Sequence, residues 1–120
     1  MTRLLILLIL LIALPTMSWG ADFEKGLEAY ETGDYETTLK EFRAVADQRE
    51  VAAQNSLGLM YYKGQDVPEN YIQAYMWASL AAAQSDEDAV EGLEILEKKM
   101  TPAQLAEAQR LAREWTPKEK

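Results

Sequence analysis

The middle of the chain contains the stretch "LGLMYYKGQDVPENYIQAYMW", residues 57–77, from which the fold can be inferred. It joins two apolar segments through a polar turn that contains glycine, proline and asparagine. Gly64 follows the first segment and is the natural left-handed stop of a helix. Gly58 lies inside that segment, where a glycine costs roughly 1 kcal/mol relative to alanine. We interpret the stretch as helix–turn–helix, and we expect close packing against the alanines of the second helix to offset the cost of Gly58.

The same unit occurs twice along the chain. Six positions with the spacing 3, 1, 3, 3, 1 recur after a shift of 36 residues, which is the pattern of one helix face. They are Tyr35, Thr38, Leu39, Phe42, Val45 and Ala46, against Tyr71, Ala74, Tyr75, Ala78, Ala81 and Ala82. The preceding helices match at a shift of 31, where Tyr30 and Gly33 correspond to Tyr61 and Gly64. The second copy therefore has a turn that is five residues longer.

Apolar periodicity and capping signals predict an all-α chain of about six helices, without strands. The predicted ranges are about 22–32, 35–47, 51–63, 71–84, 87–99 and 102–115. Asp34, Asn70 and Asp86 are candidate N-caps, and Thr101 opens a capping box with Pro102 in the first helical position. The predicted apolar stripes are Phe23, Gly26, Leu27 and Tyr30; Ala53, Leu57, Met60 and Tyr61; Ala89, Leu93, Leu96 and Met100; and Leu105, Ala108, Leu111, Ala112 and Trp115.

The first twenty residues have the pattern of a cleavable secretory signal peptide. Arg3 is followed by the apolar run 4–14, then Pro15 and a polar stretch in which Ser18 and Gly20 are the small residues before a cut. The alternative is an uncleaved membrane anchor, but the apolar run is well short of the roughly 20 residues needed to span a bilayer. We expect cleavage after Gly20, a periplasmic or secreted bacterial protein, and no stable membrane span after cleavage.

The charge and the amino-acid composition of the chain argue against several classes of function. The chain carries a formal charge of −8 and has neither cysteine nor histidine. Residues 21–97 contain 5 Lys/Arg and 17 Asp/Glu, a balance of −12, whereas residues 98–120 contain 6 and 3, a balance of +3. An acidic body of this kind repels phosphate backbones, which argues against a nucleic-acid partner. Without histidine or cysteine, serine triads and the usual zinc sites have no members.

The remaining acidic groups have simpler explanations than chemistry. Glu91, Glu94 and Glu97 could be a carboxylate set, as in glycosidases, but their spacing of three is typical of a solvated helix face. Residues 86–88 (Asp-Glu-Asp) lack the glycine and the terminal glutamate of a calcium loop, and acids in a first helical turn favour the helix dipole. We therefore predict no catalytic residue, no metal site and no cofactor.

Residues 52–86 resemble a Sel1-like repeat, a relative of the tetratricopeptide repeat. The residues that carry the resemblance are Ala53, Gln54, Leu57, Gly58, Tyr61, Gly64, the "GQDVPENY" turn, Ala74, Trp77 and the "AAAQ" of 81–84. Residues 26–48 look like a degenerate first repeat, which lacks the long turn and has Glu41 where the second has Trp77. Residues 100–115 resemble a closing segment found in bacterial proteins of this group.

The resemblance implies a short α-solenoid that serves as a non-enzymatic adaptor for a protein or peptide partner. Its organisation would be a signal peptide (1–20), a degenerate repeat (about 22–48), a clear repeat (about 51–84), a closing helix pair (about 86–115) and a flexible tail (116–120). The alternatives are a structural subunit of an envelope assembly and, less favoured, a carboxylate-dependent enzyme that acts on glycans. Leu57, Gly58, Tyr61, Gly64, Ala74 and Trp77 would be structural motif residues.

A partner surface is predicted on the first helix of each repeat, because repeat solenoids bind along the concave face that these helices line. Tyr62 follows Tyr61, and two adjacent tyrosines cannot face the same side of a helix, so we expect Tyr62 to be partly exposed. Exposed aromatic residues are preferred anchors of interfaces. The candidate binding residues are Tyr62, Glu24, Glu28, Glu31 and Asn55. The acidic surroundings predict a basic segment of another envelope protein as the partner.

Overall fold

A computed structural model describes residues 20–64 and 70–118, and this part of the chain is all-helical. The six helices are α1 (Gly20–Glu31), α2 (Tyr35–Ala46), α3 (Val51–Lys63), α4 (Tyr71–Ala83), α5 (Glu87–Lys99) and α6 (Pro102–Glu114). The predicted all-α fold with six helices is confirmed, and each helix end lies within two residues of its predicted position. The predicted signal peptide, apart from Gly20, and Pro68 with most of the long turn lie outside the described residues.

Capping residues define where several of the helices begin and end. Asp34, Asn70 and Asp86 each accept a hydrogen bond from the backbone N–H three residues later, which satisfies one of the open donors of a first helical turn. Thr101 forms the full capping box with Gln104 ahead of α6. Gly64 ends α3 in the left-handed conformation, with φ of 68°. These local signals explain why the helix boundaries could be read from the sequence.

The two repeats share their turn geometry, in addition to their sequence pattern. At the end of α2, the N–H groups of residues 48, 49 and 50 donate to the carbonyls of residues 45, 46 and 45. At the end of α4, residues 84, 85 and 86 donate to residues 81, 82 and 81, which is the same pattern 36 residues later. Arg49 and Ser85 occupy equivalent positions, and both have φ of 71°. The two copies therefore repeat in backbone geometry as well as in sequence pattern.

Helix α4 is the centre of the packing. It contacts α3 on one side and both α5 and α6 on the other, while α2 joins α3 to α1. Trp77 of α4 is 3% exposed, and its ring meets the ring of Trp115 edge-on at a centroid distance of 6.4 Å. The closing helices α5 and α6 both cover α4, and each packs on α4 rather than chiefly on the other closing helix.

A buried glutamine connects the two repeat turns. Gln54 is fully buried, and its Nε2 donates to the carbonyl of Ala46 at 3.2 Å. Gln84 Nε2 lies within hydrogen-bond distance of both Gln54 Oε1, at 3.0 Å, and the carbonyl of Arg49, at 3.1 Å. Because a buried amide without partners would be costly, this chain of bonds fixes the end of α4 against the turn between α2 and α3.

The end of the described chain crosses back to the first repeat. Lys118 donates its backbone N–H to the carbonyl of Asp47 at 2.7 Å, and its Nζ lies 3.5 Å from the carboxylate of Asp47. Residues 116–118 belong to the segment that the sequence assigns to a flexible tail. The sequence does not predict this contact, because it joins residues far apart along the chain.

Within the described residues, no helix combines the length and the apolar character that crossing a membrane requires.

Candidate protein-interaction site

Three helices present matching stripes of residues at the spacing i, i+4, i+7. They are Phe23–Leu27–Tyr30 on α1, Asn55–Leu59–Tyr62 on α3 and Asp88–Gly92–Ile95 on α5. Residues at this spacing lie on one face of a helix. Residues of α1 and α3 border one groove and residues of α3 and α5 border another, with Leu59 lining both. We call this surface the concave face, after the face of a repeat solenoid that the first helices line.

The α3–α5 groove has a volume of about 80 Å³. One wall is formed by Asn55, Leu59 and Tyr62 of α3, and the other by Asp88, Gly92 and Ile95 of α5. Ala74 and Ala78 of α4 form the floor, and Gly58, Ala89 and Leu96 complete the lining. Among the residues that the structure describes, Asp88 is the one charged member of this lining. Such an apolar groove with a polar end is suited to receiving a side chain of another molecule.

The α1–α3 groove has a volume of about 130 Å³. Leu27 and Tyr30 of α1 face Leu59 and Met60 of α3 across it, and Phe42 of α2 also contributes. Ser56 and Lys63 complete the lining. Leu27, Leu59 and Ile95 are 42, 48 and 48% exposed, so the concave face presents large apolar side chains to solvent. Exposed aliphatic residues beside grooves are a feature of interaction surfaces.

Gly58, in the middle of α3, is explained by packing. A Cβ placed on it would lie 3.3 Å from the carbonyl oxygen of Ala74 and 3.5 Å from the backbone nitrogen of Ala78. The backbone of α4 therefore approaches α3 closely at Gly58, as predicted. Gly26 of α1 is packed in a comparable way, because a Cβ there would lie 2.6 Å from the ring of Phe42.

Gly92 differs from both of these glycines. It lies in the middle of α5, and a Cβ placed on it would meet nothing within 4 Å. The helix propensity cost of a mid-helix glycine is roughly 1 kcal/mol, and here no close approach of another helix offsets it. The side chain that is missing at Gly92 instead leaves open space in the wall of the α3–α5 groove.

The structure brings two of the five predicted binding residues to this groove. Asn55 and Tyr62 line it, both half-buried, and the ring of Tyr62 packs against Tyr71 at a centroid distance of 6.0 Å. Glu24, Glu28 and Glu31 are exposed on α1 but do not line either groove. The three glutamates can thus act on a partner in a groove through their charge, at a distance.

The aliphatic residues of the concave face were not predicted from the sequence. The apolar pattern places Leu27 with the buried stripe of α1, yet it is 42% exposed, and Ala29 is buried instead. Leu59 and Ile95 were assigned to no surface. The sequence does contain a pattern that places them on this surface. Each lies three or four residues from another groove residue, which is the spacing of one helix face. It could not be read without knowing which neighbouring helices cover that face.

The motif residues of the second repeat have structural positions. Leu57, Gly58 and Ala74 are buried between α3 and α4. Tyr61 is 9% exposed, and its hydroxyl accepts a hydrogen bond from Arg43 at 2.6 Å. These residues connect helices rather than forming an exposed chemical site.

The acidic residues considered for chemistry do not converge on the grooves, apart from Asp88. Glu91 and Glu94 are exposed outside both linings, and Glu97 accepts a hydrogen bond from the hydroxyl of Tyr75 at 3.0 Å. Burial raises the pKa of Tyr75 above its ordinary value, so this hydroxyl acts as a neutral donor. Asp86 is engaged as the N-cap of α5. In the part of the chain that the structure describes, no group of acidic side chains is arranged to hold a metal ion.

Comparisons with known proteins agree with the geometry of the second repeat. The family model described as Sel1 repeat matches residues 51–86, which contain α3, the long turn and α4. No curated protein and no solved structure matches the chain. The matched region includes Leu57, Gly58, Gly64 and Trp77, four of the residues that carry the resemblance. The chain therefore contains a Sel1 repeat, which spans residues 51–86.

Proposed function

We propose that this protein is a non-enzymatic adaptor, exported to the cell envelope, whose concave face binds a segment of another envelope protein. Sel1 repeats generally mediate protein–protein interactions. The observation that carries the proposal is the pair of grooves on either side of α3, with Leu27, Leu59 and Ile95 exposed beside them. The apolar area that these side chains expose contributes to binding in proportion to how much of it a partner covers.

The charge of the body supports a basic partner segment. Residues 21–97 carry a balance of −12, and Glu24, Glu28 and Glu31 are exposed on α1 beside the concave face. An acidic field of this kind accelerates the encounter with a basic segment and slows the approach of acidic ones. The apolar residues would then hold the segment after the encounter. Export rests on the signal-peptide pattern of residues 1–20.

Capture from an envelope fraction with matched variants tests the proposal. Ile95→Lys places a charge in the α3–α5 groove. Val90→Lys places the same charge on α5 at a position that is 45% exposed, against 48% for Ile95, but lines neither groove. We expect a protein that is retained by the wild type and by Val90→Lys and is lost with Ile95→Lys. Equal retention by both variants, at low and at high salt, would exclude the concave face as the binding surface.

A further inference from the structure

The three stripes of the concave face differ at their central position. The central residue is Leu27 on α1, Leu59 on α3 and Gly92 on α5. Two exposed leucines are thus followed by a position without a side chain. Because a Cβ on Gly92 would have no neighbour within 4 Å, an alanine would fit there without a clash. The absence of a side chain is therefore not required by the packing of the chain itself.

The space left at Gly92 is large enough for part of another molecule. The α3–α5 groove has a volume of about 80 Å³, several times the roughly 10–15 Å³ that one water molecule needs. Its floor is formed by Ala74 and Ala78, and Ile95 and Leu59 extend its apolar walls. Water in such a space finds few hydrogen-bond partners, so an apolar side chain that displaces it is favoured.

A carboxylate stands at one end of the same groove. Asp88 precedes Gly92 by one helical turn, or about 6 Å along the helix axis. It is exposed, and no ion pair involves it within residues 20–64 and 70–118. Glu87 adds an exposed negative charge in the same first turn, whereas Lys63 lines the other groove and not this one. The electrostatic complement of this end is a cation.

We infer that the α3–α5 groove binds a peptide segment that inserts one aliphatic side chain, of about the size of leucine, into the space beside Gly92 and places a lysine or arginine next to Asp88. The inference rests on the proposed function, because it specifies which partner chemistry the concave face accepts. The aliphatic side chain completes the row begun by Leu27 and Leu59. Gly92 is then the residue that determines specificity, since it keeps the groove open at the expense of helix stability.

Selection from a random displayed peptide library on the purified protein tests this chemistry and does not require an identified partner. We expect the enriched peptides to share an aliphatic residue close to a lysine or arginine. The affinity of one enriched peptide is then measured by fluorescence anisotropy against Gly92→Leu and its matched control Val90→Leu. Both variants add a leucine to α5, but only the first adds it inside the groove.

Gly92→Leu should weaken peptide binding by roughly tenfold or more, the loss typical of an interface anchor. It should also raise the melting temperature, because leucine favours helix far more than glycine does. Val90→Leu should leave the affinity within about twofold of the wild type, as a surface change outside the site does. Gly92→Ala, with a smaller side chain, should give an intermediate loss of affinity. Asp88→Asn should weaken binding, and Glu91→Gln, outside the groove on the same helix, should not.

A loss of affinity together with a gain in thermal stability supports the inference, since a merely destabilised variant would show the opposite change in melting temperature. Unchanged affinity of Gly92→Leu overturns it, and so do enriched peptides that lack the aliphatic–basic pair or a library from which nothing is enriched. The capture experiment with Ile95→Lys and Val90→Lys decides the proposed function separately. If the wild type retains its envelope partner and Gly92→Leu binds the peptide normally, the proposed function stands and this inference fails.

Discussion

Replacing Gly58 with alanine measures how much the close approach of α3 and α4 contributes to this fold. The new Cβ would lie 3.3 Å from the carbonyl oxygen of Ala74, 3.5 Å from the backbone nitrogen of Ala78 and 3.8 Å from its Cβ. The first of these distances is shorter than ordinary van der Waals contact, and both atoms nearest to the new Cβ belong to backbone. A helix backbone moves only as a unit, so α4 would have to shift away from α3.

Two opposing terms determine the size of the effect. Alanine favours the helical backbone by roughly 1 kcal/mol relative to glycine. Overpacking a close contact in a core costs typically about 1–3 kcal/mol. The net change at Gly58 should lie between about zero and 2 kcal/mol of destabilisation. Gly92→Ala supplies the reference, because it gains the same helix propensity and its Cβ meets nothing within 4 Å. It should stabilise the protein by roughly 1 kcal/mol.

Urea unfolding followed by circular dichroism gives both free energies of unfolding, provided that the two variants share the wild-type slope. Subtracting the Gly92→Ala value from the Gly58→Ala value removes the propensity term and leaves the steric cost of the contact with α4. We expect this difference to be about 1–3 kcal/mol in the destabilising direction. If Gly58→Ala stabilises the protein as much as Gly92→Ala does, the close approach is not the reason for a glycine at this position.

Three further predictions concern other parts of the chain. Truncation after Met100 removes α6 and uncovers Trp77, so the domain should lose most of its helicity; a truncated protein with unchanged helicity and melting temperature would contradict this. Hydrogen bonds from the Thr37 hydroxyl and from the Thr37 backbone N–H lower the pKa of Asp34 below its ordinary value, so the charged carboxylate stabilises the fold at pH values above its unfolded pKa. The wild type should therefore lose stability relative to Asp34→Asn as the pH falls through the folded pKa, and a constant difference in acid unfolding curves would refute it. The exported protein should have an intact mass that begins at Ala21, and a mass beginning at Met1 would exclude cleavage after Gly20.

The helices of this fold and their repetition follow from local features of the sequence. These features act over only a few residues of the chain. They are the N-caps Asp34, Asn70 and Asp86, the left-handed helix stop at Gly64, and the helical spacing of apolar residues. Such interactions depend little on the rest of the molecule. The packing of Gly58 was also predictable, because the partner helix follows it directly and is rich in alanine.

Which apolar residues remain exposed depends on how the helices pack together. Leu57 and Leu59 are the same residue type on the same helix, yet Leu57 is fully buried and Leu59 is 48% exposed. Apolar character favours burial, but burial requires a neighbouring helix, and that neighbour comes from a distant part of the chain. The contact of Lys118 with Asp47 and the packing of α6 on α4 are likewise set by long-range geometry. For the same reason the opening at Gly92 became visible only when α3, α4 and α5 were seen together.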